Sequence, residues 1–131
     1  MEIIKKGTII TSKEPIRISI QCKVGQQMYT KNNKKYMDLE ISKSDAKKIT
    51  GIHEQFKNYM TKPNVINTLE DNILKIKIPF LRNRVICKIK SDKIIQDYKK
   101  NENFKGNILF CGIWTIGEYC GPSWKLESVD W

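Results

Sequence analysis

The sequence has no apolar run long enough to cross a membrane and no segment typical of a secretory signal. A transmembrane helix needs roughly 18 apolar residues in a row, and no stretch of this 131-residue chain approaches that length. Residues 1–10 include Glu2, Lys5 and Lys6 and lack a continuous apolar core, so they do not resemble a signal peptide. We therefore expect an intracellular protein that does not enter a membrane.

Residues on which catalysis and metal binding commonly depend are also scarce. The chain has one histidine, His53, and four cysteines, none of them in C-x-x-C spacing, whereas zinc sites usually draw their ligands from close pairs. Neither a P-loop nor a G-x-G-x-x-G motif is present. The one adjacent acidic pair, Glu70 and Asp71, would point to opposite faces of a strand. The sequence predicts no enzyme, no metal and no cofactor.

Positive charge is abundant and unevenly distributed. The chain has 24 Lys and Arg against 14 Asp and Glu, a net charge of +10. Residues 1–36 contain 8 basic and 2 acidic side chains, and residues 72–106 contain 10 and 3. Brought to one face, these two blocks would attract a polyanion. The alternative is that the lysines only keep the surface solvated.

Hydrophobic periodicity predicts a mainly β domain with one central helix. Apolar and polar residues alternate over residues 15–24, 35–41, 73–78 and 84–90, as in half-buried strands. Residues 3–10 suggest a first strand, residues 25–33 a loop, and residues 104–116 and 123–131 a closing hairpin. Ser42 followed by Asp45 predicts a helix start, and Pro63 ends that helix by Met60 or Thr61. We predict one domain over residues 1–131, an OB-like β-barrel in the order strand-strand-strand-helix-strand-strand, extended by the C-terminal hairpin.

Aromatic residues accompany the positive charge at several places along the chain. Tyr36 follows a basic loop, Phe80 precedes two arginines, and Phe104 stands beside Lys105. Proteins that bind single-stranded nucleic acid combine a basic groove with rings on which bases stack. The ordinary alternative for each ring is core packing. The nucleic-acid-binding residues predicted on this basis are Lys31, Lys34, Lys35, Tyr36, Lys75, Lys77, Phe80, Arg82, Arg84, Lys88, Lys90 and Lys105.

The C-terminal quarter carries a denser pattern. Cys111-Gly112-Ile113-Trp114 is followed by Tyr119, Gly121 and then Ser123-Trp124-Lys125-Leu126. This pattern resembles the closing hairpin of OB-fold single-stranded DNA-binding proteins of large DNA viruses and phages, although Cys120 is an insertion relative to it. The resemblance implies nucleic-acid contacts by Trp114, Tyr119, Trp124 and Lys125, with one tryptophan stacking on bases and the other sealing the barrel. If the protein is viral, it implies a location in the host cytoplasm or nucleus.

The function predicted from the sequence is sequence-tolerant binding of single-stranded DNA, which protects or organises replication and recombination intermediates. An RNA-binding barrel remains open, because contact with the 2′-hydroxyl has no residue signature. A non-catalytic module whose basic face meets an acidic protein is a further alternative. The expected partners are single-stranded DNA or RNA, replication or recombination proteins, and a second copy of the chain paired through an open edge strand.

Overall fold

The computed structural model describes residues 1–81, 84–85, 88–89 and 95–130, with no side chains described between residues 81 and 94. Within these residues the chain forms one α-helix, twelve β-strands and short 3-10 helices at Lys57–Tyr59 and Ile95–Asp97. The helix α1 spans Lys43–Gln55. The strands are β1 (Ile3–Lys6), β2 (Ile9–Ser12), β3 (Arg17–Lys31), β4 (Lys34–Ile41), β5 (Asn64–Val65), β6 (Leu69–Glu70), β7 (Ile73–Ile78), β8 (Phe80–Leu81), β9 (Arg84–Val85), β10 (Lys88–Ile89), β11 (Asn103–Ile116) and β12 (Tyr119–Val129).

Five of these strands close into a β-barrel. Around the ring, β3 pairs with β4, β4 with β7, β7 with β12, β12 with β11, and β11 again with β3. The β7–β12 pair is parallel and the other four are antiparallel. The predicted class, mainly β with one helix and an OB-like barrel, is confirmed.

The strands that form the ring are not simply the first five strands predicted from the sequence. The predicted first strand is a hairpin, β1 and β2, that turns at Gly7 with φ +61°. It lies outside the five-strand ring, and its second strand pairs with β11. The ring therefore begins with β3, and α1 lies between its second and third strands rather than between the third and fourth. The predicted C-terminal hairpin is formed by β11 and β12, which supply two of the five strands of the ring.

The loop predicted at residues 25–33 is largely a strand. β3 continues to Lys31, and the reversal is made by Asn32 and Asn33 alone, with φ values of 52° and 63°. Asparagine tolerates positive φ better than most residues, and positive φ at both central residues is typical of the turns that match strand twist in hairpins. The result is a long β3–β4 hairpin whose arms stay paired to the turn.

The core is built from the inward positions of the alternating strands and from one side of α1. The sequence positions 18, 20, 22 and 24 of β3, and 74, 76 and 78 of β7, are all buried. Ser42 caps α1 as predicted, because its Oγ accepts a hydrogen bond from the Asp45 backbone N–H at 3.0 Å. The helix then contributes Ile49, and Phe56 follows it into the core against Phe110, with ring centroids 4.9 Å apart. No helix in the described part of the chain is both long and apolar enough to cross a membrane.

Candidate nucleic-acid interface

The outer surface of the barrel carries a row of side chains that runs across four neighbouring strands. Tyr29 of β3 is paired in register with Tyr36 of β4, Tyr36 with Lys77 of β7, and Lys77 with Lys125 of β12. These positions face outward because their chain neighbours, such as Met37, Ile76, Ile78, Trp124 and Leu126, are buried. Together with Lys75, they form what we call the tyrosine–lysine face: Tyr29, Tyr36, Lys75, Lys77 and Lys125.

One of the two tyrosines of this face, Tyr29, is held in place by a carboxylate. The ring centroids of Tyr29 and Tyr36 are 6.0 Å apart with an interplanar angle of 31°. The Tyr29 hydroxyl donates a hydrogen bond to Asp38 Oδ1 at 2.7 Å. Burial raises the pKa of the Tyr29 hydroxyl, and the Asp38 carboxylate raises it further, so the group stays protonated and remains a donor. Ordering the Tyr29 ring in advance lowers the entropy lost when a ligand stacks on it.

The lysines of the face form no ion pair with the residues that the structure describes. Ion pairs between described residues join Lys13 to Glu2, Arg17 to Glu127 and Lys48 to Asp45, and none of them uses Lys75, Lys77 or Lys125. Lys75 Nζ lies 6.0 Å from the centre of the Tyr36 ring. Lys35, next to Tyr36 on β4, points to the opposite side of the sheet from the face, and its Nζ lies 5.3 Å from the centre of the Phe80 ring. A cation beside an aromatic ring suits a nucleotide, which offers a phosphate and a base together.

The β3–β4 turn concentrates further positive charge. Lys31 and Lys34 are directly opposite each other across the hairpin, and both are exposed. Like charges at opposed positions of a hairpin repel each other, and a bound phosphate would relieve that repulsion. In OB folds, the loop between the first two strands and the face of the second and third strands are the usual oligonucleotide contacts. Here these correspond to the β3–β4 turn and to β4 with β7.

The structure contradicts a stacking role for Trp124. Only 1% of this residue is exposed, and its ring packs against Phe110 with centroids 5.1 Å apart. The indole Nε1–H donates to His53 Nε2 at 2.9 Å, so the polar atom of the side chain is satisfied inside the protein. Trp124 is therefore the tryptophan that seals the barrel.

The other residues of the C-terminal hairpin lie at the far end of β12. Tyr119 is 50% exposed and is paired with Ile116, which is 70% exposed. Trp114 is half-buried opposite Gly121. Tyr119 and Lys125 are six residues apart on β12 and therefore face the same side of the strand. At about 3.3 Å per residue, they lie roughly 20 Å apart. The hairpin tip thus offers a second aromatic position on the outer side of the same strand.

The remaining predicted residues fall outside this arrangement. Lys105 is exposed on β11, opposite Gln21 of β3 and two strands away from β7. Arg82 and Lys90 lie outside the described residues. For Arg84 and Lys88 the structure describes only the backbone, in β9 and β10.

The sequence prediction omitted Tyr29 and Asp38 from the site. Both could have been found from the turn, because a two-residue Asn32–Asn33 reversal places Lys31 opposite Lys34 and hence Tyr29 opposite Tyr36. The outward position of Asp38 follows from its place two residues after Tyr36 on an alternating strand.

The His53–Trp124 hydrogen bond makes folding sensitive to acid. Because Nε2 accepts the indole proton, His53 is neutral, and burial lowers its pKa from 6.5 to about 4. The unfolded chain therefore binds the extra proton first, and this contribution to stability, complete above pH 6.5, is lost as the pH falls towards 4. We expect the free energy of unfolding to fall in this window with a slope approaching about 1.4 kcal/mol per pH unit from this group.

Chemical denaturation at several pH values between neutral and acidic measures that slope. Carboxylates titrate in the same range, so the matched control is His53→Gln, whose amide oxygen can accept the Trp124 proton without titrating. The difference between the two proteins isolates His53. Identical slopes would contradict the assignment.

Comparisons of the chain with protein-family models, curated proteins and solved structures found no match. Among the described residues, no group of three or more histidine, cysteine or acidic side chains is placed to hold a metal ion. The chemistry of the site therefore rests on rings, lysines and the Asp38 carboxylate.

Proposed function

We propose that this protein binds single-stranded DNA along the tyrosine–lysine face and so protects or organises single-stranded replication and recombination intermediates. The observation that carries the proposal is the register of the outer row. Tyr29 and Tyr36 stand beside Lys77 and Lys125 on adjacent barrel strands. The two rings are followed by the two cations across four neighbouring strands, a row that one extended strand of DNA can follow.

The combination of tyrosine rings and lysines on this face favours binding of a single strand over binding of a duplex. In a duplex the bases are stacked on one another and only their edges reach the grooves, so tyrosine rings on a convex surface would find no face to stack on. An unpaired strand offers both base faces and phosphates. The Tyr29–Tyr36 pair would take bases, and Lys75, Lys77 and Lys125 would neutralise adjacent phosphates.

Both ends of the face offer additional contacts. The β3–β4 turn brings Lys31 and Lys34 to one end, whereas Lys35 lies on the opposite side of β4, near the Phe80 ring. At the other end the hairpin tip presents Tyr119 and Trp114. Segment 64–66 covers Gly121, which lies between Lys125 and Tyr119 on β12, so the two ends would contact separate parts of a bound strand. The contacts at both ends would be with phosphates and with base faces. Such contacts tolerate many sequences.

The salt dependence of binding tests whether these particular lysines contact phosphates. Each phosphate contact to a single strand contributes about −0.7 to the slope of log affinity against log salt. The double substitution Lys77→Gln with Lys125→Gln should therefore reduce the magnitude of that slope by about 1.4, besides weakening binding. Fluorescence anisotropy of a labelled oligomer, titrated at several salt concentrations, measures both quantities.

The matched control removes the same charge elsewhere. Lys43→Gln with Lys47→Gln takes two exposed lysines from α1, away from the row of barrel residues, and should leave the slope nearly unchanged. Equal effects of the two double variants would show that overall charge, rather than this face, governs binding. A folded protein that binds no oligomer at low salt would overturn the proposal, and competition between matched DNA and RNA oligomers decides which nucleic acid is preferred.

A further inference from the structure

The one carboxylate held against the tyrosine–lysine face is out of place in a surface that binds only phosphates. Asp38 lies directly opposite Lys75 in the β4–β7 pairing, yet it takes part in none of the ion pairs between described residues. Its Oδ1 accepts the Tyr29 hydroxyl, which fixes the carboxylate and leaves Oδ2 available. A negative charge in this position weakens phosphate binding and favours a ligand group that donates a hydrogen bond.

Asp38 borders a groove on the outside of the barrel. The groove has a volume of about 480 Å³ and lies between the outward side chains of β4 and β7 and the segment 66–71. Ile66 and Ile73 give it apolar surface, and Asn67 lines it as well. Segment 64–66 runs close to β12 because Gly121 has no side chain there: a Cβ atom at Gly121 would collide with the Ile66 carbonyl oxygen.

The charges of the groove disfavour a phosphate beside Asp38 and suit a hydrogen-bond donor there. Asp38, Glu70 and Asp71 contribute carboxylates, and among the described residues that line the groove Lys75 is the only cation. Carboxylates only accept hydrogen bonds when ionised. The described acidic residues are not grouped closely enough to hold a metal ion. A flat group with an amino donor, lying beside the Tyr36 ring, satisfies both the apolar and the acceptor surfaces.

We propose that this groove binds a nucleobase through its exocyclic amino group, with Asp38 as the acceptor, so that the protein prefers cytosine to thymine at this position. The inference rests on the proposed binding of single-stranded DNA and adds base selection to it. Tyr36 is two residues from Asp38 on the same side of β4, about 7 Å along the strand. A base stacked on Tyr36 can therefore direct its edge into the groove while Lys75 meets the neighbouring phosphate.

Cytosine and thymine differ at the atom that would meet Asp38. Cytosine carries an N4 amino donor where thymine carries the O4 acceptor. The donor would bond to the carboxylate, whereas the acceptor would face another acceptor and both would lose water without compensation. The rest of the two pyrimidine nucleotides stacks and neutralises charge alike, so the difference reports on this contact.

The test compares dC and dT oligomers of equal length by fluorescence anisotropy with the wild-type protein and with Asp38→Asn. We expect wild type to bind dC about tenfold more tightly than dT, the size of one good base contact. Asp38→Asn retains an oxygen for the Tyr29 hydroxyl and offers an amide donor to the base, so the preference should disappear or reverse. The matched control is Glu40→Gln, the next outward position of β4, which removes the same charge outside the groove and should preserve the preference.

Each outcome is decisive. Equal binding of dC and dT by wild type, or an equal change for both oligomers in Asp38→Asn, would overturn base selection while leaving single-strand binding intact. Binding of neither oligomer would instead remove the proposed function itself. If Asp38→Asn proves unstable, Asp71→Asn changes another acceptor of the same groove at a residue whose φ of 50° suits asparagine, and it should also reduce the preference for dC.

Discussion

Replacing Trp124 with alanine is expected to lower the free energy of unfolding by about 3–5 kcal/mol, the usual range for removing a large aromatic side chain from a core. The residue is fully enclosed and contacts Phe110 and His53, so its loss leaves a large cavity. It also leaves the His53 Nε2 acceptor without its donor, which adds the cost of an unpaired buried polar atom. Urea denaturation followed by circular dichroism measures the change.

Trp114→Ala is the matched control for Trp124→Ala. Trp114 is half-buried on the same hairpin, opposite a glycine, and its removal should cost clearly less stability. A stable Trp124→Ala protein with weakened binding to single-stranded DNA would contradict the core assignment and restore the stacking role. Tryptophan fluorescence therefore gives a mixed report on binding, because Trp124 is shielded from any ligand by the protein.

The C-terminal sequence motif contains both Trp114 and Trp124, and it could not predict which of them is buried. Up to Phe110, the even-numbered residues of β11 point inward. The pairing then shifts between Phe110 and Gly112, and Gly112 adopts a φ of +101° that side chains rarely allow. After this β-bulge Ile113 is buried and Trp114 turns outward. A bulge adds one residue to one strand and reverses the parity of everything beyond it.

Local signals were enough for much of the fold. Alternation located β4 and β7 to within a residue or two, and Ser42 marked the start of α1. These features depend on interactions among neighbours in sequence, which a pattern records directly. The closure of the barrel depends on β3 meeting β11 and on β7 meeting β12 in parallel. Such pairings join residues distant in sequence, and alternation carries no information about which strand is the neighbour.

Some residues of the candidate site could likewise be predicted from local signals, whereas others depend on strand pairing. Charge blocks and adjacent aromatics pointed to Lys75, Lys77 and Tyr36, which the structure places on one surface. That Lys125 joins them depends on its register with Lys77, and Lys105, equally basic in context, lies two strands away from β7. Alternation puts Asp38 on the outer side of β4, but its hydrogen bond from the Tyr29 hydroxyl depends on the pairing of β3 with β4.

Replacing Tyr36 with alanine should weaken binding to single-stranded DNA by about 1–3 kcal/mol, the value of one stacked base, or roughly 5-fold to 150-fold. Tyr36 stands at the centre of the outer row, between Tyr29 and Lys77, with Lys75 Nζ 6.0 Å from its ring centre. Its loss removes the stacking surface and frees Lys75 from the ring. Fluorescence anisotropy at constant salt measures the affinity, and circular dichroism establishes that the variant is folded.

Two further variants serve as controls for Tyr36→Ala. Tyr36→Phe keeps the ring and loses only the hydroxyl, so it should bind nearly as well as wild type. Tyr59→Ala removes a tyrosine that is 38% exposed on the 3-10 helix after α1, and it should leave affinity unchanged because that ring is not part of the outer row. Equal losses in Tyr36→Ala and Tyr59→Ala would show that the tyrosine–lysine face is not the binding surface. If Tyr36→Phe loses as much affinity as Tyr36→Ala, the affinity comes from a hydrogen bond of the Tyr36 hydroxyl and not from stacking.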